Sequence, residues 1–495
     1  MRFSELLAAS RLNLVNKGGN GDPGISDIVY DSRKVTPGAL YVAVPGLKTN
    51  GDAFIEQAIK TGAAAIISEN RHDALNVPWA QVSQIRAALG VLGRTFWKID
   101  LSSMALVGIT GTNGKTTTAH LYKKLFDVLH GNAFSWMFGT VEFAMGSEKV
   151  DATHTTPEAL DVFRMVGRAV SKPKSLVMEV SSHSLSLQRV TGLHYDLAVW
   201  TNLTQDHLDF HKTMEDYYSA KKLLFRDYIK QGGAGVVNID DPYGSRLYRE
   251  LADDEEIVSY GRNQDAQVKI VNWNCDWDGC RVDLEIRGRV YSFSSILKGF
   301  FNVYNMTAMV AGAVALKVDA ETIQKAFSLV ETVPGRMDRV LIDAEFTVLV
   351  DYAHTPDALV NVLQTSRPLT NGRLICVFGC GGDRDRGKRP LMAQAVAENC
   401  DEAVVTSDNP RSEKPETILN EILKGMPLDF PHTVIADRKE AILCAIRIAR
   451  PGDCIVIAGK GHETYQEISG VRHHFNDKEV VMQAFAEMEN GKHGS

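Results

Sequence analysis

The sequence predicts an α/β protein built from three successive parts. Three observations carry that prediction. Short apolar runs alternate with segments of helical spacing along nearly the whole chain, as strand–helix units of largely parallel sheets do. Polar clusters follow directly on several of those runs, at the carboxyl ends of strands where open α/β sheets bind ligands. The chain has 495 residues, more than one hydrophobic core serves, so the alternation must be shared among domains.

Residues 1–100 form the first part. Tyr30-Asp31-Ser32-Arg33 precedes a strand at 39–44, and a helical pattern through Phe54, Ile55, Ala58 and Ile59 leads to a second strand at 63–67. Residues 101–332 form the central part. A buried strand at 105–109 runs into Gly111-Thr112-Asn113-Gly114-Lys115-Thr116-Thr117. The helix that follows shows Leu121, Leu125 and Leu129 four apart and stops at His130-Gly131. Strands at 176–180, 197–200 and 235–239 end in Ser181-Ser182-His183, in a polar run from Thr201 to His211, and in Asp240-Asp241-Pro242. Residues 265–297 differ: Val282, Leu284 and Ile286 alternate with charged neighbours, which predicts an antiparallel appendage carrying Trp273 and Trp277. Residues 333–495 repeat strand, loop and helix, with strands at 348–350, 374–378, 403–405, 434–435 and 454–458. Five such strands predict a second doubly wound sheet. The tail from Glu489 reads as frayed.

Composition narrows the function classes. Apolar residues make up 44% and charged residues 23%, ordinary for a globular protein. A net charge of −7 with no long basic run argues against nucleic acid as the main partner. No stretch approaches ~18 uninterrupted apolar residues, so no membrane-spanning helix is expected. Glu5 interrupts the apolar residues at the N-terminus, which lacks a signal-peptide core. Seven scattered cysteines without a Cys-x-x-Cys pair point to reducing cytoplasm, with Cys376 and Cys380 as core or loop residues.

Strand, glycine loop, Lys-Thr and helix is a layout that cradles a nucleoside triphosphate. Backbone N–H groups and the positive helix end face the phosphates. Lys115 reaches the β/γ oxygens, and the Thr116 hydroxyl suits magnesium. The spacing departs from the general pattern, whose first glycine would fall on Ile109; a ligand-free glycine turn is the alternative. Glu179 ends an apolar strand, where a carboxylate is costly without a cation or hydrogen bonds. With Thr116 it makes a reasonable nucleotide–magnesium site. His207 and His211 have a spacing that admits zinc, but oxygen donors beside a phosphate loop favour magnesium. Taken alone, Lys221-Lys222 is a solvated helix face, Asn302 a helix cap and Asp31-Ser32-Arg33 a turn. Three more polar loops each follow a predicted strand: the run from Gly379 to Pro390, Asp408-Asn409-Pro410-Arg411, and Gly459-Lys460-Gly461-His462-Glu463. They can converge at one sheet edge.

Together these motifs resemble the Mur ligase family, the ATP-dependent amide-bond ligases of bacterial cell-wall (peptidoglycan) synthesis. Gly-Thr-Asn-Gly-Lys-Thr-Thr at 111–117 fixes the superfamily. Tyr217-x-x-Ala220-Lys221-x-x-Leu224-Phe225, the 299–305 segment, Asp351-Tyr352-Ala353-His354-Thr355-Pro356 and Asp408-Asn409-Pro410-Arg411 extend the match over essentially the whole chain. The resemblance implies a uridine-binding domain (1–100), an ATP-binding domain (101–332) and a mobile Rossmann-like domain (333–495). It implies that Gly111, Thr112, Asn113, Gly114, Lys115, Thr116 and Thr117 hold ATP, with Asn302 and Asn305 on the adenine side and Arg336, Asp351 and His354 from the last domain. Magnesium is implied on Thr116, Glu179, His207 and Lys221, the lysine carbamylated by carbon dioxide. Tyr30 and Ser32 are implied at the uridine end of the sugar nucleotide. His154, Thr155, Thr156, Ser181 and Arg189 are implied at the muramyl dipeptide. Leu187 departs from the glutamine of some relatives, and no contact is carried over to it.

The implied reaction activates the D-glutamate carboxylate of UDP-N-acetylmuramoyl-L-alanyl-D-glutamate as an acyl phosphate, which an incoming amine then displaces. Lys115, Lys221 and His207 are the catalytic candidates. Arg384 is expected on the carboxylate beside the attacking amine, and Asp408, Asn409, Pro410, Arg411, Gly459 and Glu463 around the far end of the amino acid. An arginine at 411 points to meso-diaminopimelate, whose second carboxylate needs a cation. A lysine-adding relative, a folylpolyglutamate synthase and a nucleotide-driven switch are the competing readings. A cytoplasmic monomer is expected.

Overall fold

The structure is a computed structural model that describes residues 1–46, 49–152, 154–251 and 256–492. The chain forms two compact units. One comprises Met1–Gly108, His130–Ala198 and Ala220–Gly233; the other comprises Ile109–Leu129, Val199–Ser219 and Ala234–Ser495.

The first unit holds a five-stranded sheet in the order Leu14–Gly18, Trp79–Val82, Ala65–Ser68, Leu40–Val42, Ile28–Val29. Only the edge strand Leu14–Gly18 is antiparallel. Each face of the sheet is covered. Phe3, Leu6 and Leu7 of the helix Phe3–Ser10, with Leu89 and Leu92 of Ile85–Phe96, pack on Leu40, Val42 and Ile67. Ile55 and Ala58 pack on Tyr41 and Ile66 opposite. Asp31 caps a short 3-10 turn, Ser32–Lys34, by accepting from the Arg33 N–H. The strands Ala105–Thr110, Ser175–Glu179 and Ser135–Phe138 also lie side by side, and Ser135–Phe138 begins an antiparallel meander with Glu142–Met145 and Glu148–Asp151. The meander was not expected from the sequence, because its last strand is fully exposed and carries Glu148, Lys149 and Asp151.

In the second unit the helix Lys115–His130 buries Leu121 and Leu125, but Leu129 is 40% exposed, so the predicted apolar stripe ends a turn early. The strands Glu256–Gly261 and Val268–Cys275 are parallel, and Val268–Cys275, Cys280–Ile286 and Arg289–Ser295 form the expected antiparallel appendage. The bridge between Cys275 and Cys280 corrects the picture of seven scattered thiols. The two are register partners closing a hairpin, which brings their Cα atoms to 4.2 Å, and they are joined as a disulfide.

The last sheet has the order Asp338–Val340, Thr347–Asp351, Cys454–Ala458, Leu374–Phe378, Glu402–Val405, His432–Val434. The five predicted strands are present and parallel. An antiparallel edge strand, Asp338–Val340, was missed because two of its three residues are charged. Apolar clusters fill both faces, one around Phe378, Met392 and Leu419, the other around Ile375, Ile442 and Val481. Cys376 and Cys380 are buried free thiols, as expected of core and loop residues. The helix Asp477–Lys492 replaces the frayed tail expected from Glu489; residues 493–495 lie outside the described residues. Among the described residues no helix is long and apolar enough to cross a membrane.

Candidate functional site

In the second unit a cavity of about 350 Å³ opens beside the glycine loop. Asn113, Gly114, Thr116 and Thr117 line one wall, Asp240, Asp241 and Tyr260 another, and Phe300, Phe301, Tyr304 and Asn305 a third. Arg336, Asp351, Asp357 and Asn361 close it from the last segment. The loop has the shape it has because two glycines allow it. At Gly111 φ is +148°, and an added Cβ would lie 1.9 Å from Thr201 Oγ1. At Gly114 φ is +85°, and a Cβ would meet Asn305 Oδ1 at 2.5 Å. A side chain at either position would displace the loop from its supports.

Those supports come from the polar run after the strand Tyr195–Trp200. Thr112 N donates to Asn202 O (2.8 Å), Asn113 N to Asn202 Oδ1 (2.9 Å), and Thr112 Oγ1 to Thr204 O (3.1 Å). Lys115 Nζ arches back over the loop to the carbonyls of Gly111 and Thr112, both at 2.9 Å. Asn302 is not the helix cap. Gly299 takes that place, while Asn302 sits in the first turn, donating to Lys298 O and accepting from Asn305 Nδ2.

Arg336 reaches the same loop. Its Nη2 donates to Thr116 Oγ1 (3.3 Å), its guanidinium lies over the Tyr352 ring, and its Nε is buried with no hydrogen-bond partner. A buried donor left unmade is costly, and a phosphate oxygen would satisfy it. Asp351 accepts from the N–H groups of Met337 and Ala353; burial pushes its carboxyl up, against the pull of Arg336. Asn113 Nδ2 donates to Asp357 Oδ2 at 2.7 Å, a second bond between the loop and the last segment. His207 is in the left-handed region (φ 57°), and its Nε2 lies 3.5 Å from Asp206 Oδ2. His354 approaches the same carboxylate, and its Nδ1 lies 2.8 Å from Tyr352 O. Burial would raise the Asp206 carboxyl, but Lys388 and the two histidines hold it well below the usual range.

In the first unit Glu179 is fully buried at the end of its strand. Thr140 donates to it from both N (2.8 Å) and Oγ1 (3.0 Å). Thr140 Oγ1, its proton given to Glu179, lies 3.2 Å from Thr155 Oγ1, and Thr156 Oγ1 donates to Glu179 O and accepts from Ser181 N. Thr155, Thr156 and Ser181 are thus gathered around the Glu179 turn, and His154 is exposed beside them. Arg189 faces Glu158, which also pairs with Arg86; Arg189 Nε is buried without a hydrogen bond. Tyr30 donates to Asp161, and Ser32 is buried. Lys221 is 1% exposed whereas Lys222 is half-buried, so the two are not one solvated face.

The loops of the last sheet form a separate arrangement. Arg411 does not point to solvent: it is half-buried, and its Nη1 donates to Gly382 O at 2.7 Å. A Cβ on Gly381 would lie 2.8 Å from that nitrogen, so the paired glycines make room for the fork. Asn409 Nδ2 donates to Glu463 Oε2, and the fully buried Lys460 donates to both Asn409 Oδ1 (3.1 Å) and Glu463 Oε2 (2.9 Å). Pro410 is buried with them. Gly459 (φ +117°) leaves space for Asp408 Oδ2. Arg384 is exposed on the loop that carries Gly381 and Gly382.

Sequence reasoning missed Asn361, and it gave Asp357, Tyr304 and Lys460 no task of their own although each lies in a motif it singled out. Asp240 and Asp241 were visible as a polar cluster after a strand, but nothing in the sequence tied them to the glycine loop. Among the described residues no three or more His, Cys, Asp or Glu side chains form a metal cage. Magnesium needs none, since one or two carboxylates plus phosphates usually hold it.

Comparison with known proteins gives a consistent family. Models of the Mur ligase family catalytic domain, the Mur ligase middle domain and the Mur ligase glutamate ligase domain match residues 24–97, 109–314 and 335–461. A UDP-N-acetylmuramoyl-L-alanyl-D-glutamate–2,6-diaminopimelate ligase of Gloeobacter violaceus is 43% identical over 98% of both chains. One from Syntrophomonas wolfei is 42% identical over 99% of this chain and 100% of its own. A solved structure of a ligase of the same name is 34% identical, covers 94% of this chain and 95% of its own, and superposes with a TM-score of 0.65.

Proposed function

The chain belongs to the Mur ligase family, and we propose that it is the ATP-dependent ligase joining meso-diaminopimelate to UDP-N-acetylmuramoyl-L-alanyl-D-glutamate in peptidoglycan synthesis. The observation that carries the choice of amino acid is the Arg411 fork, held half-buried over Gly382 beside Asn409 and Glu463. Diaminopimelate differs from lysine by a carboxylate at its far end, and a bidentate arginine is the group that recognises one.

The glycine loop and Arg336 hold the ATP phosphates, and Lys115 turns from its loop carbonyls to the γ-phosphate oxygens. The D-glutamate side-chain carboxylate attacks the γ-phosphorus, releasing ADP and leaving an acyl phosphate. The amine of diaminopimelate then attacks the acyl carbon; phosphate departs, and the amine proton goes to solvent or a nearby base. The chain's contribution is positioning and charge stabilisation, with no acylated residue. Thr116 and His207 of the one unit, and Glu179 and a carbamylated Lys221 of the other, are the groups that would supply ligands to a hard ion, which would neutralise phosphate charge. Tyr30, Ser32, His154, Thr155, Thr156, Ser181 and Arg189 bind the uridine nucleotide, and Arg384 the carboxylate beside the attacking amine. Residues 1–100, 101–332 and 333–495 divide these tasks. The substrates are cytoplasmic solutes, and we place the protein there as a monomer.

The test is phosphate release measured over a panel of amino acids with ATP, magnesium and the uridine nucleotide. Turnover should require the nucleotide substrate and be greatest with meso-diaminopimelate. Preference for lysine would reject the amino-acid assignment, and turnover with a folate in place of the sugar nucleotide would reject the sugar-nucleotide substrate in favour of a folylpolyglutamate synthase. Lys221 has its own test. Its uncharged amine adds to carbon dioxide, forming an N–C bond and losing a proton. Lys221→Ala should be nearly inactive and partly restored by an added short carboxylate, while Lys222→Ala stays mild. Equal losses would mean a general basic face.

A further inference from the structure

The residue before His207 is a buried carboxylate of the second unit that faces three cationic or titratable side chains, Lys388, His207 and His354. Asp206 is 4% exposed. Its Oδ1 accepts from His207 N (2.9 Å) and from Lys388 Nζ (3.1 Å). Its Oδ2 lies 3.5 Å from His207 Nε2 and 3.8 Å from His354 Nε2. Lys388 is itself only 5% exposed and opens the helix Lys388–Asn399. A lysine there is disfavoured twice, by loss of water and by the positive end of the helix dipole. Asp206 offsets both. The neighbouring residue repeats the connection, with Gln205 Nε2 donating to Asp385 Oδ2 at 3.3 Å.

These contacts join two pieces of the reaction. The run holding Asp206 also holds Asn202 and Thr204, which support the glycine loop. The loop holding Asp385 and Lys388 also holds Arg384, Gly381 and Gly382, the last carrying the Arg411 fork. We propose that Asp206, through its buried pair with Lys388, is a positioning residue that sets the amino-acid loop in register with the phosphate loop. The inference rests on the ligase reading, because it concerns the alignment of an activated carboxyl with an amine. Asp206 touches neither substrate; it acts through Lys388, His207 and His354. Small misplacements of reacting groups cost about a hundredfold in rate.

The test uses the full-length enzyme with Asp206→Asn, Lys388→Met and the double variant, each checked by thermal melting. Wild-type turnover is measured first, and its absence would refute the ligase reading rather than this one. Asp206→Asn should lower kcat about a hundredfold while KM for ATP and for the uridine nucleotide changes less than about threefold. The double variant should lose no more kcat than the worse single one, because the two side chains act as one unit. It also removes both buried charges, so it reports even where a single variant melts early. Unchanged kcat in Asp206→Asn or in the double variant, single losses that multiply, or a loss carried by KM for ATP would each overturn the proposal.

Discussion

The cavity beside the glycine loop and the loops of the last sheet are both polar, but they are built on opposite principles. Around the glycine loop the contacts are made by backbone N–H groups, amides and hydroxyls: Lys115 donates to two loop carbonyls, and Arg336 donates to a hydroxyl and lies over an aromatic face. In the loops that carry Arg411 and Glu463, charge is matched before any ligand arrives. Lys460 holds Glu463, and the fully buried Arg389 grips both Glu413 and Glu421. The first region suits a highly charged ligand that brings its own negative charge. The second suits a zwitterion, whose charges must be placed rather than neutralised.

The largest effect that tests this contrast is at the nucleotide end. Lys115→Ala should remove nearly all phosphate release while the melting temperature stays near that of the wild type, since the loop is also held by Asn202 and Thr204. Full activity would show that the loop is a turn and not a phosphate site. A smaller and more selective effect is expected at Arg411. Losing a charged partner from a buried carboxylate costs on the order of 2–5 kcal/mol, roughly thirty- to several-thousand-fold in affinity. Arg411→Ala should therefore raise KM for meso-diaminopimelate far more than KM for ATP. A matched rise in both would erase the distinction between the two regions.

The smallest effect is on stability. Hydrogen bonds from Arg389 hold the Glu413 carboxyl down to about 2, below its ordinary value. A lowered folded-state pKa adds stability that is fully present above the unfolded value, ~4.3, and is lost as pH falls from there toward about 2. Melting temperatures taken from pH 5 down to pH 2 should show that acid limb, and Glu413→Gln should flatten it. An unchanged limb would mean that the pair of Arg389 and Glu413 adds nothing to the fold.

Much of this was legible in the chain itself. The strand, glycine loop and helix at 105–130 could be placed because local rules act there: apolar runs form buried strands, and positive φ demands glycine at 111 and 114. The strands Thr347–Asp351, Leu374–Phe378 and Cys454–Ala458 of the last sheet were legible for the same reason, each being a short run of mainly apolar, buried residues. The family motifs, too, are patterns of neighbours in sequence. Tertiary structure alone decided the rest. Asp357 meets Asn113 across 244 positions, and Lys388 meets Asp206 across 182, and no local periodicity encodes either pairing. The edge strand Asp338–Val340 and the hairpin closed by Cys275 and Cys280 depend on which neighbour a strand finds. Sequence determined which side chains could do chemistry. Which of them are buried, and against what charge, followed only from how the chain is packed, because desolvation and pairing are properties of surroundings rather than of residues.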